Sequence, residues 1–218
     1  MKFFVDTADL NEIKDLNDLG ILDGVTTNPS LMKKVGVKGR ENVLQHYKTI
    51  CEMVDGDISA EVISTDYDGM MREADELASL HENIVIKVPM IREGIKAIKS
   101  LSGQGVKTNC TLIFSVGQAI LAAKAGATYI SPFLGRLDDI STDGLNLIGD
   151  LVDVFGNYHW ETEILAASIR HPMHIIDCAK LGADVVTCPA SSLDKLFNHP
   201  LTDSGLAKFL EDYKNVES

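Results

Sequence analysis

The chain has 218 residues, of which 45% are apolar and 24% are charged, and this balance predicts one soluble domain with a sizeable core. Its formal net charge of −12 argues against nucleic acid or an anionic membrane as a partner. No apolar run approaches membrane-spanning length, and the N-terminus lacks the apolar segment of a signal peptide, so we expect a cytoplasmic protein.

Strands and helices are predicted to alternate along the first half of the chain. The predicted strands are 2–6, 21–25, 58–64, 83–90 and 105–111, and the predicted helices are 7–18, 39–54, 68–80, 92–101 and 116–125. Each strand is a short apolar run, and each helix has apolar residues at helical spacing. Gly20 ends the first helix.

The second half contains an internal repeat. Segments 123–132 and 179–187, the latter with Pro189 nearby, are similar, and each is predicted to end a helix, to turn at a glycine (Gly126 or Gly182) and to continue as a strand. The glycines are separated by the length of two βα units. Between them we predict a helix near 143–155, a strand at 163–168 and a helix beginning at Pro172.

Eight alternating strand–helix units predict a single-domain (β/α)₈ TIM barrel over residues 1–218. The last segment adds an amphipathic C-terminal helix at about 202–213, with Leu206, Phe209, Leu210 and Tyr213 on one face. The main alternative, an open doubly wound sheet, usually has a glycine-rich turn after its first strand. Asp-Thr-Ala-Asp at 6–9 is no such turn.

One lysine, Lys87, interrupts the apolar, β-branched run at 83–90. Such a run is typical of a strand covered on both faces. A lysine in these surroundings loses solvation of its ammonium form, and the neutral amine is a nucleophile that condenses with carbonyl compounds. The alternative is that a carboxylate such as Glu61 holds Lys87 in an ion pair that only supports the fold.

Other polar residues lie within or at the C-terminal ends of the predicted strands, where barrel loops form an active-site mouth. They are Asp6, Asn28, Glu61, Asn109, Thr111, Ser131, Ser168 and Arg170. Each has a structural alternative, since Asp6 and Asn28 could cap helices and Ser131 and Thr111 could tie loops. Their convergence on one rim predicts a site.

Two arginines follow the sixth and seventh strands. Arg136 ends the Phe-Leu-Gly-Arg segment at 133–136, and Arg170 lies two residues after Ser168. Guanidinium groups beside a serine hydroxyl suit a phosphate, which accepts several charge-assisted hydrogen bonds. We therefore expect a small phosphorylated carbonyl compound as substrate, and a salt bridge from Arg136 to Asp138 or Asp139 is the alternative.

The sequence gives no sign of a metal centre. Its four cysteines lack metal or disulfide spacing: Cys51, Cys110, Cys178 and Cys188. His171 and His174 lie one helical turn apart, but no third ligand accompanies them. We therefore expect neither a metal nor another cofactor, and Cys110 is interpreted as a small core residue.

With these motifs the chain resembles the transaldolase family, specifically its short branch, which also includes the fructose 6-phosphate aldolases. The resemblance covers nearly the whole chain and rests on segments 5–8, 24–30, 86–89, 108–114, 131–136 and 166–170. Its most specific element is Thr-Thr-Asn-Pro-Ser at 26–30 together with the strand lysine.

The resemblance implies a role for each candidate residue. Lys87 would form a Schiff base, Asp6 would exchange a proton with the sugar C4 hydroxyl, and Glu61 would act through a water held with Thr111. The other residues would bind substrate, with Asn28 and Asn109 at hydroxyl groups, Ser131 and Phe133 along the pocket, and Arg136, Ser168 and Arg170 at the phosphate.

Two positions separate the two activities of this branch. By the same resemblance, its aldolases have Gln in place of Glu61 and Tyr in place of Phe133. A tyrosine hydroxyl could deliver the proton that releases free dihydroxyacetone, whereas phenylalanine cannot. The sequence therefore favours a transaldolase that moves a dihydroxyacetone unit from sedoheptulose 7-phosphate or fructose 6-phosphate to an aldose phosphate. A fructose 6-phosphate aldolase and a non-catalytic barrel that binds sugar phosphates are the alternatives.

The resemblance also implies self-association. It suggests a ring-shaped homodecamer or homopentamer in which the C-terminal helix crosses to the adjacent subunit, and it assigns the reaction to the pentose phosphate pathway. The sequence itself shows only an amphipathic tail. The expected partners are phosphorylated sugars and further copies of the chain.

Overall fold

The computed structural model describes residues 1–217, in which eight parallel strands pair in chain order and the last pairs with the first. The strands are β1 (Lys2–Asp6), β2 (Gly24–Thr26), β3 (Asp57–Glu61), β4 (Ile84–Pro89), β5 (Thr108–Ile113), β6 (Tyr129–Pro132), β7 (Glu163–Ala166) and β8 (Val185–Cys188). The barrel is closed, and the prediction of a (β/α)₈ fold is confirmed.

Helices follow the strands in the order expected for such a barrel. They are α1 (Leu10–Asp18), α2 (Pro29–Lys34), α3 (Arg40–Met53), α4 (Tyr67–Ala78), α5 (Arg92–Gly103), α6 (Val116–Ala125), α7 (Leu134–Asp138), α8 (Gly144–Tyr158), α9 (Pro172–Leu181), α10 (Ala190–Asp194) and α11 (Pro200–Glu217). A 3₁₀ turn at Lys195–Phe197 follows α10. None of the helices in residues 1–217 is long and apolar enough to cross a membrane.

Two sets of buried side chains hold the barrel together. The larger set packs the strands against the surrounding helices. The smaller set includes Phe4, Val85, Tyr129, Leu165 and Val185, which come from five different strands and fill the barrel interior. The interior is therefore solid, and the site lies above it at the C-terminal ends of the strands.

The internal repeat has the predicted structural meaning. Gly126 ends α6 with φ 92° and Gly182 ends α9 with φ 97°, both in the left-handed region. Glycine adopts this region without the steric cost that a side chain would carry. Each glycine turns the chain from a helix into the next strand.

Five strands differ in extent from the prediction, of which β4 is one residue shorter at each end and β7 ends at Ala166 instead of Ser168. β2 begins at Gly24, because Leu22 lies outside the sheet and Asp23 instead binds the backbone of Phe3 through its carboxylate. β3 ends at Glu61, because the Glu73 carboxylate accepts from the backbone N–H of Ile63 and thereby holds the loop away from the sheet. β5 begins later than predicted and continues past Thr111 through a bulge.

Three short helices, α2, α7 and α10, were not predicted, because each is about one or two turns long and carries little periodic signal. The predicted C-terminal helix is present but longer, since α11 runs from Pro200 to Glu217. Apart from Gly205, every residue of α11 whose burial the structure describes is exposed.

Candidate active site

A cavity of about 260 Å³ opens at the C-terminal ends of the strands. Most of the predicted site residues line it: Asp6, Asn28, Lys87, Ser131, Phe133, Arg136, Ser168 and Arg170. The other three, Glu61, Asn109 and Thr111, are not part of this lining. Glu61 contacts Lys87 and Asn109 contacts Ser131, while Thr111 lies two residues after Asn109 on β5.

Lys87 lies inside β4 and is only 5% exposed. Its Nζ is 3.1 Å from Oε2 of Glu61 and donates to the carbonyl oxygen of Thr27 at 3.3 Å. Glu61 and Lys87 face each other because they are register partners of β3 and β4. The ion pair that the sequence left as an alternative is therefore present, and it also holds a proton acceptor beside the amine.

Asp6 ends β1, and its Oδ1 accepts a 2.8 Å hydrogen bond from the Thr26 hydroxyl. Burial raises the pKa of Asp6, although the charge of Lys87 and the bond from Thr26 both act to lower it. Asp6 is not a helix cap, since Asp9 caps α1. A carboxyl with a raised pKa beside a cavity is suited to proton exchange.

The two asparagines are held in different ways. Asn28 is the N-cap of α2, where its Oδ1 accepts from the backbone N–H groups of Ser30 and Leu31, so its structural alternative is realised while it also lines the cavity. Asn109 is fully buried and accepts from Ser131 Oγ at 2.7 Å. Its own Nδ2 donates to Ser59 at 3.1 Å, which locks the side chain beside Lys87, its register partner.

Thr111 lies where β5 leaves regular geometry. The register of β5 with β6 shifts between Cys110 and Ile113, and Leu112 has φ 63°, which is uncommon for a residue with a side chain. Within the described part of the chain, the buried Thr111 hydroxyl has no hydrogen-bond partner. It is therefore available to hold a ligand or a water molecule.

The arginine side of the cavity depends on a glycine. A Cβ on Gly135 would lie 2.0 Å from the carbonyl oxygen of Ser168, so only glycine lets α7 approach the loop after β7 this closely. Ser168 itself has φ 62°, a strained conformation for a residue other than glycine. The close approach brings Arg136 and Arg170 to one side of the cavity.

The two guanidinium groups have different contacts. Arg170 pairs with Asp139 at 2.6 Å. The guanidinium carbon of Arg136 lies 5.0 Å from the centre of the Phe133 ring, and within residues 1–217 Arg136 forms no ion pair. The alternative of a salt bridge from Arg136 to Asp138 or Asp139 is therefore not observed.

His174 supports the Arg170 loop. Its Nδ1 accepts from the backbone N–H of Arg170 at 3.2 Å, and its Nε2 is 3.2 Å from Asp138 Oδ2. These two bonds use both ring nitrogens of a buried histidine. In the described part of the chain, no group of three or more His, Cys, Asp or Glu side chains is placed to hold a metal ion.

Two polar cavity residues, Thr26 and Thr187, were not predicted from the sequence. Their hydroxyl oxygens are 2.6 Å apart, and Thr26 also bonds Asp6. A signal for Thr187 was present, because the internal repeat aligns it with Ser131. Ser131 in β6 and Thr187 in β8 occupy the same position near the ends of their strands.

A larger cavity of about 660 Å³ lies outside the barrel mouth, between α2, α3 and α4. Its lining is mostly apolar and includes Met32, Leu44 and Leu77. Glu61 touches this cavity, but Lys87 and the arginines at the strand ends do not line it. The chemistry described above therefore belongs to the smaller, polar cavity.

Comparison with known proteins places the similar sequences in one family. The model of the family described as Transaldolase/Fructose-6-phosphate aldolase matches residues 3–218. A protein of Cytophaga hutchinsonii named "Probable transaldolase" is 65% identical over 216 residues, which cover 99% of each chain. Proteins with the same name from Porphyromonas gingivalis and Bacteroides thetaiotaomicron are each 63% identical over 99% of this chain and 98% and 99% of their own length, respectively.

Two solved structures share the fold at low sequence identity. A cube-shaped protein cage designed by fusing symmetric oligomeric domains matches with a TM-score of 0.64 at 13% identity, covering 100% of this chain and 78% of the other. Inosine 5′ monophosphate dehydrogenase from Legionella pneumophila matches with a TM-score of 0.61 at 14% identity, covering 88% and 58%. At this level of identity the likeness concerns the fold alone.

Proposed function

The chain belongs to the Transaldolase/Fructose-6-phosphate aldolase family, and from this premise we propose that it is a transaldolase with Lys87 as its nucleophile. The donor is sedoheptulose 7-phosphate or fructose 6-phosphate, and the acceptor is glyceraldehyde 3-phosphate or erythrose 4-phosphate. The observation that carries the proposal is the buried Lys87 amine inside β4, 3.1 Å from Glu61 and facing a cavity with two arginines.

The first step joins the enzyme to the donor. The Lys87 amine, having passed a proton to Glu61, attacks the C2 carbonyl of the ketose. Loss of the resulting C2 hydroxyl as water leaves an iminium ion at C2. Glu61 supplies the proton for that departure, through a water molecule held with the Thr111 hydroxyl.

The second step cleaves the donor. Asp6 takes the proton from the C4 hydroxyl, the C3–C4 bond breaks, and its electron pair moves toward the iminium nitrogen to form an enamine. The aldose phosphate leaves, and carbon C4 of the donor becomes its aldehyde carbon. The acceptor aldehyde then enters, and the enamine carbon bonds to the aldehyde carbon while Asp6 returns its proton to the aldehyde oxygen. Hydrolysis of the iminium by water then releases the new ketose phosphate and frees Lys87.

Binding of the substrate is assigned to the rest of the cavity. Arg136, Ser168 and Arg170 bind the phosphate, and Arg170 exchanges its bond with Asp139 for bonds to the phosphate oxygens. Asn28 and Asn109 hold hydroxyl groups. Ser131 keeps Asn109 in place through its 2.7 Å bond.

Transfer is favoured over release because Phe133 carries no hydroxyl. An enamine persists only where proton donors are kept from its carbon. The Phe133 ring packs edge-on against Phe114 at 5.9 Å and has Arg136 over its face, so an apolar surface borders the cavity. A fructose 6-phosphate aldolase, the other activity in the family name, is the second candidate.

Trapping of the Schiff base tests the role of Lys87. Borohydride added with fructose 6-phosphate should increase the mass of the peptide that contains Lys87, and Lys87→Met should abolish both the adduct and turnover. Lys96→Met is the matched control, because Lys96 is an exposed residue of α5 paired with Glu93. If no adduct forms on the wild-type protein, Lys87 is only an ion-pair partner and the barrel is not a Schiff-base enzyme.

Acceptor dependence separates transaldolase from aldolase. We expect fructose 6-phosphate to be consumed at a substantial rate only when glyceraldehyde 3-phosphate or another acceptor is present. Equally rapid consumption without an acceptor, with free dihydroxyacetone as a product, would establish the aldolase instead.

The proposed setting is a cytoplasmic homo-oligomer of the pentose phosphate pathway. The part of this proposal that concerns self-association is supported by the exposed apolar face of α11, which includes Leu206, Phe209 and Leu210. An apolar face of this kind on a surface helix is typical of a protein interface. A homodecamer or homopentamer is the expected assembly.

A further inference from the structure

We propose that Thr187 is a positioning residue for Asp6, acting through Thr26. This inference rests on the proposed function, in which ionised Asp6 takes the proton of the C4 hydroxyl. Thr187 lines the cavity near the end of β8, on the opposite side of β1 from Thr26. Its side chain nevertheless reaches Thr26, so the two hydroxyls meet beside Asp6.

The direction of the hydrogen bonds follows from the chemistry of a hydroxyl, which has one proton to donate. An ionised carboxylate only accepts, so Thr26 gives its proton to Asp6 Oδ1 across 2.8 Å. Thr26 then has no proton for Thr187, and the 2.6 Å contact between them must be donated by Thr187. The relay runs from Thr187 to Thr26 to Asp6.

Such a relay acts on the carboxylate without touching the substrate. A hydroxyl that accepts one hydrogen bond becomes a stronger donor in the next, and a donated bond favours the ionised form of a carboxyl. Both threonines are buried, so water does not replace either bond easily. The relay therefore opposes the burial that raises the pKa of Asp6, and it fixes the orientation of Oδ1.

Other groups also act on this carboxyl. The titratable and charged side chains that face Asp6 or share its cavity are Lys87 on β4, Cys188 on β8, Arg136 on α7 and Arg170 after β7, with Glu61 beside Lys87. Removal of the Thr187 hydroxyl leaves the charge of all five unchanged. A shift in the titration of Asp6 in such a variant is therefore due to the relay.

The test is the pH profile of kcat/KM for donor cleavage in Thr187→Val, which keeps the shape of the side chain and removes its hydroxyl. We expect the acid limb of the profile to move to higher pH by about half a unit, because Asp6 protonates more easily. Thr187→Ser should restore the wild-type limb. KM for the phosphorylated donor should stay unchanged, since Thr187 is not placed at the phosphate.

Thr108→Val is the matched control. Thr108 is a buried strand residue whose hydroxyl has no partner in the described part of the chain, so its replacement removes a hydroxyl but no relay. We expect its acid limb to coincide with the wild-type limb. If Thr187→Val does not fold, Thr187→Ala takes its place, because it also lacks the hydroxyl and adds no bulk.

The outcomes distinguish this inference from the proposed function. An active wild-type enzyme whose acid limb is the same in Thr187→Val and Thr187→Ala overturns the relay and leaves the transaldolase assignment standing. A rise in KM with an unmoved limb also overturns it, since Thr187 then contacts the substrate directly. A wild-type protein without any cleavage of the donor refutes the proposed function itself.

Discussion

Asp6 is a half-buried residue whose surroundings raise the pKa of its carboxyl and thereby lower folding stability at neutral pH. Burial raises its pKa above the ordinary value of 3.8. A carboxyl whose pKa in the folded state exceeds its unfolded value binds more protons in the folded state, so folding stability falls as the pH rises from 3.8 through the raised pKa.

Replacement of Asp6 should therefore separate stability from activity. We expect Asp6→Asn to lower turnover by at least about 100-fold while unfolding at a higher urea concentration than the wild type at pH 7. Urea titrations at pH 7 and near pH 4 check the sign of this difference in stability. The difference between the two unfolding midpoints should be smaller near pH 4, because the wild-type carboxyl protonates. A variant that is less stable than the wild type at pH 7 would contradict this account.

Phe133 is the second residue at this scale on which the proposed transfer reaction depends. Phe133→Tyr places a hydroxyl at the cavity wall, where it would protonate the enamine of the proposed mechanism. We expect consumption of fructose 6-phosphate without an acceptor to rise by about tenfold, with dihydroxyacetone as the product. Phe114→Tyr is the control, because Phe114 packs on Phe133 but does not line the cavity. An equal increase in acceptor-independent consumption in Phe133→Tyr and Phe114→Tyr would rule out a local proton donor at position 133.

At the scale of single elements, the arginine side of the cavity, where we propose that the phosphate binds, depends on how α7 meets the loop after β7. Gly135→Ala introduces a Cβ that would lie 2.0 Å from the Ser168 carbonyl oxygen, so α7 must move away. We expect a loss of stability of about 1–3 kcal/mol and a several-fold increase in KM for phosphorylated donors. Thermal unfolding and steady-state kinetics measure the two effects.

Gly117→Ala is the control for that substitution. Gly117 lies in α6, and a Cβ there would meet nothing within 4 Å. Alanine in a helix should raise stability by about 0.5–1 kcal/mol relative to glycine. If Gly135→Ala behaves in the same way, the close approach of α7 does not determine the position of the arginines.

Elements were predicted with uneven success, for identifiable reasons. The long helices and most strands carry clear apolar periodicity, and their existence was predicted correctly. Short helices such as α2 and α7 are set by single caps and by contacts that are distant in sequence, such as Gly135 against Ser168. The bulge at Leu112 likewise has no periodic signal, since it is a departure from the strand pattern.

At the scale of the whole molecule, α11 is the helix that exposes the longest series of large apolar side chains. Phe209 is 72% exposed and lies on the same face as the exposed Leu206. The net charge of −12 opposes association, so the burial of apolar surface has to outweigh charge repulsion.

We expect the wild-type protein to be an oligomer and Leu206→Glu with Phe209→Glu to be a monomer. Size-exclusion chromatography with light scattering measures the mass directly. Lys208→Glu is the control, because it adds negative charge to an exposed position outside the apolar face. A monomeric wild type, or dissociation by Lys208→Glu as well, would contradict association through this face.

The sequence by itself determined the class of fold and identified most of the polar residues that line the cavity. Apolar periodicity is local information, so the sequence predicted the alternation of strands and helices. It also predicted that Lys87 would lie in an otherwise apolar strand. The barrel then assigns the strand ends to one rim, which is why Asp6, Lys87 and Arg170 were predicted to share a site before any distance was known.

Only the tertiary structure decided how these groups meet. The ion pair of Lys87 with Glu61 and the pairing of Asp139 with Arg170 instead of Arg136 depend on register and loop packing. The Thr187–Thr26–Asp6 relay joins residues from the beginning and the end of the chain, which become neighbours only because β8 closes on β1. Local patterns do not encode such contacts, since they arise from closure of the barrel.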